Sequence, residues 1–276
     1  LASITIFVSS ISKILFHYGI LPWFINIAGK IIKRFLGVSP AESIGVAANI
    51  FLGMTEAPLL IRPYINKLTD SELFCIMTAG MATIAGAVMI IYTSLLTNIH
   101  PDIAGHLIIA SLISAPASIG VAKLMFPEKE LPETLKAKIK LPAKDTQNGL
   151  DAAARGATEG ITLVINILAM LIAFIGLIAL INHALGWAQQ LIYNEGGKWS
   201  LELICGQLMR PIVWTLGIPW SETMKVGELM GLKTILNEFV AYSRLADIME
   251  SPNPLSQRSF IITTYALCGF ANFGSI

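Results

Sequence analysis

The sequence predicts an all-α, polytopic membrane protein whose core holds broken transmembrane helices and two re-entrant helical hairpins of opposite orientation. Three observations predict it. Hydrophobic residues make up 54% of the 276 positions and charged residues only 13%, where a soluble domain carries about 25% charge. Several apolar runs are interrupted by glycine or proline, and irregular backbone is tolerated at membrane depth only where protein buries it or water fills a cavity. Two of those interruptions carry an acid, Glu56 and Glu238. A carboxylate at that depth costs about 2.5–3.5 kcal/mol on insertion scales, so it faces a cavity, a pathway or a partner.

Residues 1–16 are apolar and read as the end of a span. Residues 21–36 set Trp23, Phe24, Ile27, Ile31 and Phe35 beside Lys30, Lys33 and Arg34, the pattern of an amphipathic helix on the cytoplasmic membrane surface. Ser39-Pro40-Ala41-Glu42 reads as a helix start, with Ser39 as N-cap, Pro40 at the first position and Glu42 three residues after the cap. Residues 43–61 are apolar but broken between Gly53 and Pro58. Each arm is too short to span, so a re-entrant hairpin is expected.

Residues 73–96 are long enough to cross, with Gly80 and Gly86 flanking Thr83-Ile84, and residues 103–126 form another span. Residues 128–149 are the strongly polar loop, with Lys129, Lys136, Lys138, Lys140 and Lys144, and residues 161–185 are the least interrupted span. Residues 200–219 and 221–242 form a second interrupted pair, with Gly217-Ile218-Pro219 and Gly231 as expected breakers, and residues 260–276 open a last span. The apolar start without Met and the stop inside an apolar run read as a fragment lacking spans at one or both ends, and residues 1–18 lack the basic n-region of a signal peptide.

The positive charges sort by side. The 21–36 helix and the 128–149 loop are rich in Lys and Arg, and Arg244 and Arg258 flank a third loop. The turn at 97–102 has neither, and the 183–200 loop has only Lys198. Placing the first set in the cytoplasm satisfies the positive-inside rule and puts the two hairpins on opposite sides of the membrane. A faint repeat agrees. Gly37-Val-Ser-Pro-Ala-Glu-Ser43 parallels Gly217-Ile-Pro-Trp-Ser-Glu-Thr223, and Gly80-Met-Ala-Thr-Ile84 parallels Gly269-Phe-Ala-Asn-Phe273. Interrupted apolar segments in corresponding places of two inverted halves point to a transporter binding site.

Other classes find little support. A net charge of +1 gives no nucleic-acid footprint. Cys75, Cys205 and Cys268 lie far apart in apolar surroundings and fit no metal spacing or disulfide frame. The chain has no His-Glu-x-x-His and no Gly-x-Ser-x-Gly, and Gly227-Glu-Leu-Met-Gly-Leu-Lys-Thr234 has the wrong spacing for a phosphate loop and follows no strand. An intramembrane enzyme is therefore disfavoured. A passive channel is the better rival, because broken helices also line pores. Glu56 and Glu238 have an alternative reading as structural ion pairs, with Arg62 near Glu56. Asn49 and Asn272 have one as helix caps or interhelical glue, Thr83 as a hydroxyl bonded to its own helix, and Phe270 as core filling. Glu42 and Glu222 read as first-turn helix residues rather than ligands.

Three motifs, Gly53-Met-Thr-Glu-Ala-Pro-Leu-Leu-Ile-Arg-Pro-Tyr64, Leu236-Asn-Glu-Phe-Val-Ala-Tyr242 and Tyr265-Ala-Leu-Cys-Gly-Phe-Ala-Asn-Phe-Gly-Ser-Ile276, resemble those of the concentrative nucleoside transporters, in order and across essentially the whole chain. The resemblance implies a multi-pass protein of the cell membrane (inner or plasma membrane), homotrimeric, importing nucleosides by cation symport, without enzymatic activity. It implies a transport domain moving like an elevator against a scaffold. On that plan residues 1–36 hold the end of a scaffold span and the interfacial helix, and 37–102 the first hairpin and broken span. Residues 103–199 hold scaffold spans with a cytoplasmic loop at 127–150, and 200–276 the second hairpin and broken spans.

By the same resemblance Met54, Thr55 and Glu56 face the nucleobase, Glu238, Asn272 and Ser275 face the ribose, and Phe270 lies against the ligand. A sodium site would take side-chain oxygens from Asn49 and Thr83 and main-chain carbonyls from Leu52 and Ile84. Two departures stand out: Met54 replaces a common Gln, and Thr83 a common Ser. The chemistry is coherent, since an ionised carboxylate accepts the stronger hydrogen bonds from vicinal hydroxyls, and a site built for a hydroxyl rejects analogues that lack it. Coupling by a proton carried on Glu56 or Glu238 is the alternative to sodium. Met54 in place of an amide points toward purine nucleosides.

Overall fold

The computed structural model describes residues 2–54, 56–136, 139, 141, 146–193 and 199–273. Among them every regular element is a helix. Thr55, Ser275, Lys138, Lys140, Lys144 and Lys198 lie outside the described residues. The chain divides into two compact units. One comprises residues 1–97, 102–162 and 268–270, the other 98–101, 163–267 and 271–276.

The first unit opens with α1 (Ala2–His17). The chain then turns by 75° into α2 (Ile20–Leu36). Gly19 makes that turn with φ +77°, in the left-handed region open to glycine. Helix α2 has two apolar faces. Leu21, Ile25, Gly29 and Ile32 are buried, and Gly29 lies against Ile44. The residues of the amphipathic pattern, Trp23, Phe24, Ile27, Ile31 and Phe35, are exposed instead. Large apolar side chains beside exposed Lys30, Lys33 and Arg34 fit a helix on a lipid surface.

Helix α3 (Pro40–Phe51) starts as the sequence predicts. Ser39 Oγ accepts from the Glu42 amide at 3.2 Å, and Glu42 Oε2 accepts from the Ser39 amide at 2.9 Å. The capping box satisfies donors that the first turn cannot pair internally. Every residue of α3 up to Asn49 is buried. The helix stops at Leu52, whose backbone is extended. A five-residue helix, α4 (Ala57–Ile61), follows with Pro58 in its first turn, and a 3-10 segment, Arg62–Lys67, closes the excursion. A second capping box, Thr69 with Glu72, starts α5 (Asp70–Ala82). That helix also ends in an extended residue, Thr83, before α6 (Gly86–Leu96) resumes. The expected interruptions at 53–58 and 83–84 are therefore present.

Helix α7 (Ile103–Met125) packs on α3, α5 and α6 and is long and apolar enough to cross a membrane. A 3-10 turn, Glu133–Lys136, lies beyond it. Helix α8 (Gly149–Tyr193) runs for 45 residues, about 67 Å at 1.5 Å per residue. The span read at 161–185 is thus the middle of a longer rod, because no breaker intervenes and Arg155 bonds Asp151 one turn back at 3.1 Å. Its early turns meet α1 through Gly156 and Gly160, where a Cβ would fall 2.6 Å from the Ser9 carbonyl and 2.8 Å from Ile6 Cα. Small residues four apart let helix backbones approach in this way.

The second unit contains the rest of α8, then α9 (Leu201–Thr215), α10 (Thr223–Ile235), α11 (Glu238–Glu250) and α12 (Gln257–Leu267). Gly217, at φ +91°, breaks the chain between α9 and α10 as expected. Gly231 does not. It lies inside α10, where a Cβ would fall 2.3 Å from Cys205 Cβ on α9, and one on Gly227 would fall 2.5 Å from the Gly206 carbonyl. These glycines let two helices touch, which also explains the stretch that superficially resembled a phosphate loop. The break comes later, at Leu236 and Asn237, directly before Glu238. Asn237 makes it possible, since its side chain accepts from the Val240 amide at 3.0 Å and caps α11.

Candidate functional site

In the first unit the two helix breaks lie side by side. A Cβ placed on Gly80, in the last turn of α5, would sit 3.4 Å from Met54 Cβ and 3.7 and 3.8 Å from the two amide atoms of Asn49. Across the same break, Gly86 at the start of α6 approaches the Phe51 carbonyl. Asn49, Met54, the end of α5 and the start of α6 therefore share one small region. Asn49, Thr83 and Ile84 are each almost fully buried.

Asn49 is the informative residue. Both its amide oxygen and its amide nitrogen are buried without a hydrogen-bond partner. Buried polar atoms are almost always paired, so an orphaned amide calls for a partner the chain itself does not provide. Neither a capping nor a gluing role survives. The Thr83 hydroxyl donates to the Ala79 carbonyl at 2.9 Å, and its oxygen keeps lone pairs for acceptance. Two side-chain oxygens at two helix C-termini, where the dipole is negative, fit a hard cation with oxygen ligands. Gly269 brings residues 268–270 against this region. At φ +122° it approaches the Ala82 and Met81 carbonyls so closely that a Cβ would fall 2.8 and 2.9 Å away. Phe270, next to it, is half-buried.

Glu56 departs from expectation. It is exposed, because the tip lies past the last turn of α3 and before the first of α4, where neither helix covers it. Among the described residues no ion pair joins it to Arg62.

In the second unit Glu238 is buried in the first turn of α11. Asn272, also buried, donates from Nδ2 to Glu238 Oε2 at 3.2 Å. The Phe273 amide bonds the Thr234 carbonyl at 3.0 Å, which fastens the last segment to the end of α10. Lys233 was not singled out from the sequence. It is 7% exposed and its Nζ donates to the Ala266 carbonyl at 3.0 Å, so a buried ammonium stands near the break that precedes Glu238. Its place five residues before the acid, in an otherwise apolar stretch, was the available signal. Glu222 stands one residue before α10 rather than in its first turn, and its carboxylate accepts from the Ser256 amide and hydroxyl at 3.0 and 2.9 Å. The structure thus groups Asn49, Leu52, Met54, Thr83 and Ile84 in one unit, and Glu238 with Asn272 in the other.

The comparisons with known proteins agree with this architecture. A family profile described as the Na+ dependent nucleoside transporter C-terminus matches residues 106–276, and one described as nucleoside recognition matches residues 1–98. Solute carrier family 28 member 3 of Mus musculus is 43% identical over 99% of this chain and 40% of its own length. The nucleoside permease NupC of Helicobacter pylori is 41% identical over 99% of this chain and 64% of its own. Sodium/nucleoside cotransporter 1 of Rattus norvegicus is 39% identical over 99% and 43%. The solved structure of CNTnw in an inward-facing substrate-bound state is 39% identical, covers the whole of this chain and 63% of that one, and superposes with a TM-score of 0.89. CNTnw variants in an intermediate and an outward-facing state both give 0.91. The chain spans about 40% of the length of the mammalian relatives it matches and less than two thirds of the others. On these matches and its all-helical architecture, the chain belongs to the concentrative nucleoside transporters, a family of integral membrane transporters rather than enzymes.

Proposed function

We propose that this chain forms the substrate- and cation-binding core of a secondary transporter that imports nucleosides by sodium symport. The observation that carries the reading is the orphaned Asn49 amide, buried beside Gly80 at the paired helix breaks. Asn49 and Thr83 supply side-chain oxygens there, and Leu52 and Ile84 their carbonyls. Sodium supplies the downhill gradient that a neutral nucleoside lacks. Two relatives carry sodium/nucleoside cotransport in their names. Glu238 accepts from the ribose hydroxyls, with Asn272 holding its carboxylate in place and Ser275 beside them. Met54, Thr55 and Glu56 meet the base, and Phe270 lines the ligand. An exposed Glu56 suits a group that meets substrate rather than one that stabilises the fold.

The breaks at 52–56 and 236–237 are the tips of two re-entrant hairpins, and alternating access is of the elevator type. The relative CNTnw has been captured in inward-facing, intermediate and outward-facing states. Assembly as a homotrimer in the bilayer fits α8, in whose apolar window no residue is fully buried. Met54 favours purine nucleosides.

Equilibrium binding to the purified full-length protein tests the coupling directly. Linkage requires sodium to raise nucleoside affinity and nucleoside to raise sodium affinity by the same factor. Uridine and adenosine should bind more tightly with sodium, and their 2′- and 3′-deoxy analogues weakly in either buffer. Nucleoside affinity that is indifferent to sodium but rises as the pH falls would replace sodium with a proton.

A further inference from the structure

One lysine ties together the helix starts that lie at the far end from the orphaned amide. Lys123, in the last turn of α7, places Nζ 2.5 Å from Glu42 Oε1 at the start of α3. The same nitrogen lies 2.9 Å from Ser71 Oγ at the start of α5 and 3.6 Å from Glu128 Oε2 just beyond α7. Around it, the Ser71 hydroxyl donates to the Phe126 carbonyl at 2.7 Å and the Thr69 hydroxyl to Glu128 Oε2 at 2.7 Å. The Thr134 hydroxyl donates to Glu72 Oε1 at 3.0 Å. Glu42 is 2% exposed and Glu72 fully buried. Partial burial works against ionisation of Glu128, but the bonds from Thr69, the Glu130 amide and Lys123 hold its carboxyl below the usual range. An ammonium has three donors, and here it has three partners, one on α3, one on α5 and one in the segment after α7.

Helices α3 and α5 both start at this cluster, and both end at the region of Asn49 and Thr83. They are 12 and 13 residues long, about 18 and 20 Å. Between the ends, Gly45 of α3 lies so close to Ile76 of α5 that a Cβ would meet Ile76 Cγ1 at 3.1 Å. Two rods pinned at one end and packed along their length keep their register at the other.

We propose that Lys123 is a positioning residue for the coupling cation: by pinning the starts of α3 and α5 to α7, its ammonium sets the register of Asn49 against Thr83 and so the cation affinity of that region. The role needs a charge. Glu42 is buried, and a buried carboxylate that loses its counter-charge forces its surroundings to rearrange. Any relaxation of the first turn of α3 is carried along the rod to Asn49.

The inference rests on the sodium reading of Asn49 and Thr83, and the test separates the two. In the purified full-length protein, thermal stability is titrated with sodium in the absence of nucleoside. Sodium half-saturation and nucleoside KM are then measured by uptake into liposomes. Lys123→Met should raise sodium half-saturation about tenfold in both readouts, equivalent to about 1.4 kcal/mol. Nucleoside KM at saturating sodium should stay within about twofold. Lys123→Arg keeps the charge and should stay within about threefold of the parent in sodium. If Lys123→Met does not fold, the double variant Glu42→Gln/Lys123→Met, which removes the buried charge of Glu42 with its partner and leaves only the part-exposed Glu128 unpartnered by the ammonium, carries the test and should show the same sodium deficit. A folded variant without the ammonium that keeps parental sodium half-saturation overturns the proposal, as does an equal loss in sodium and nucleoside affinity. A parent protein whose stability ignores sodium overturns the cation reading itself.

Discussion

At the residue scale, Glu238 and Met54 carry the sharpest consequences. Glu238 is buried, starts a helix and accepts a bond from Asn272, and on the proposed reading its carboxylate meets the ribose hydroxyls. Glu238→Gln keeps the volume and loses the charged acceptor. A hydrogen bond to a charged group contributes about 1.5–3 kcal/mol, so nucleoside binding, measured by calorimetry, should weaken about ten- to a hundredfold. Ordinary uridine affinity in the variant would remove the ribose assignment. Met54 has Gly80 near its Cβ, and on the proposed reading its thioether end meets the base. Met packs where Gln would donate and accept. Met54→Gln should therefore shift the uridine-to-adenosine uptake ratio toward uridine about five- to tenfold, for a regained bond of about 1–1.4 kcal/mol. An unchanged ratio assigns Met54 to packing. These acids and interruptions were legible in the sequence because polar groups are conspicuous in apolar runs. Asn49 was not legible on spacing alone, since one Asn in a helix reads equally as glue; only its unpaired amide separates the alternatives. Lys123 was invisible, because Glu42 and Ser71, which join it to α3 and α5, are distant in sequence.

At the element scale, local signals proved readable where they act within a few residues. The Ser39–Glu42 capping box, the Gly217 break and the interruptions after Phe51 and Ala82 all depend on neighbours, and all are present. Gly231 was misjudged because glycine has two uses in a helical chain. It ends helices, and it also lets them touch; the sequence shows the residue but not the facing Cys205. The distinction has a measurable outcome. Were Gly231 a breaker, Gly231→Ala would be neutral or would stiffen the chain. Inside α10, the added methyl must push α9 away, and overpacking of this kind costs about 1–3 kcal/mol. Thermal unfolding in detergent should show a lowered Tm for Gly231→Ala, with a further drop for Gly231→Val. A Tm equal to the parent's would contradict the close α9–α10 contact.

At the scale of the whole molecule, composition and charge placement foretold a helical membrane protein, and the motifs foretold its family. The length of α8 was not foretold, since a helix that outruns the apolar window shows no boundary in hydropathy until a breaker appears. The exposed apolar faces of α2 and α8 are comprehensible only with lipid or further copies against them. On the proposed function, a cation gradient drives nucleosides uphill through this core. The most direct measurement is uptake of labelled uridine and adenosine by the full-length protein in liposomes, with sodium and proton gradients imposed separately. Sodium symport requires accumulation above the external concentration only under an inward sodium gradient, and collapse of that accumulation when the gradient is dissipated. Accumulation driven by a proton gradient in sodium-free buffer would contradict sodium coupling, and mere equilibration under every gradient would make the protein a channel.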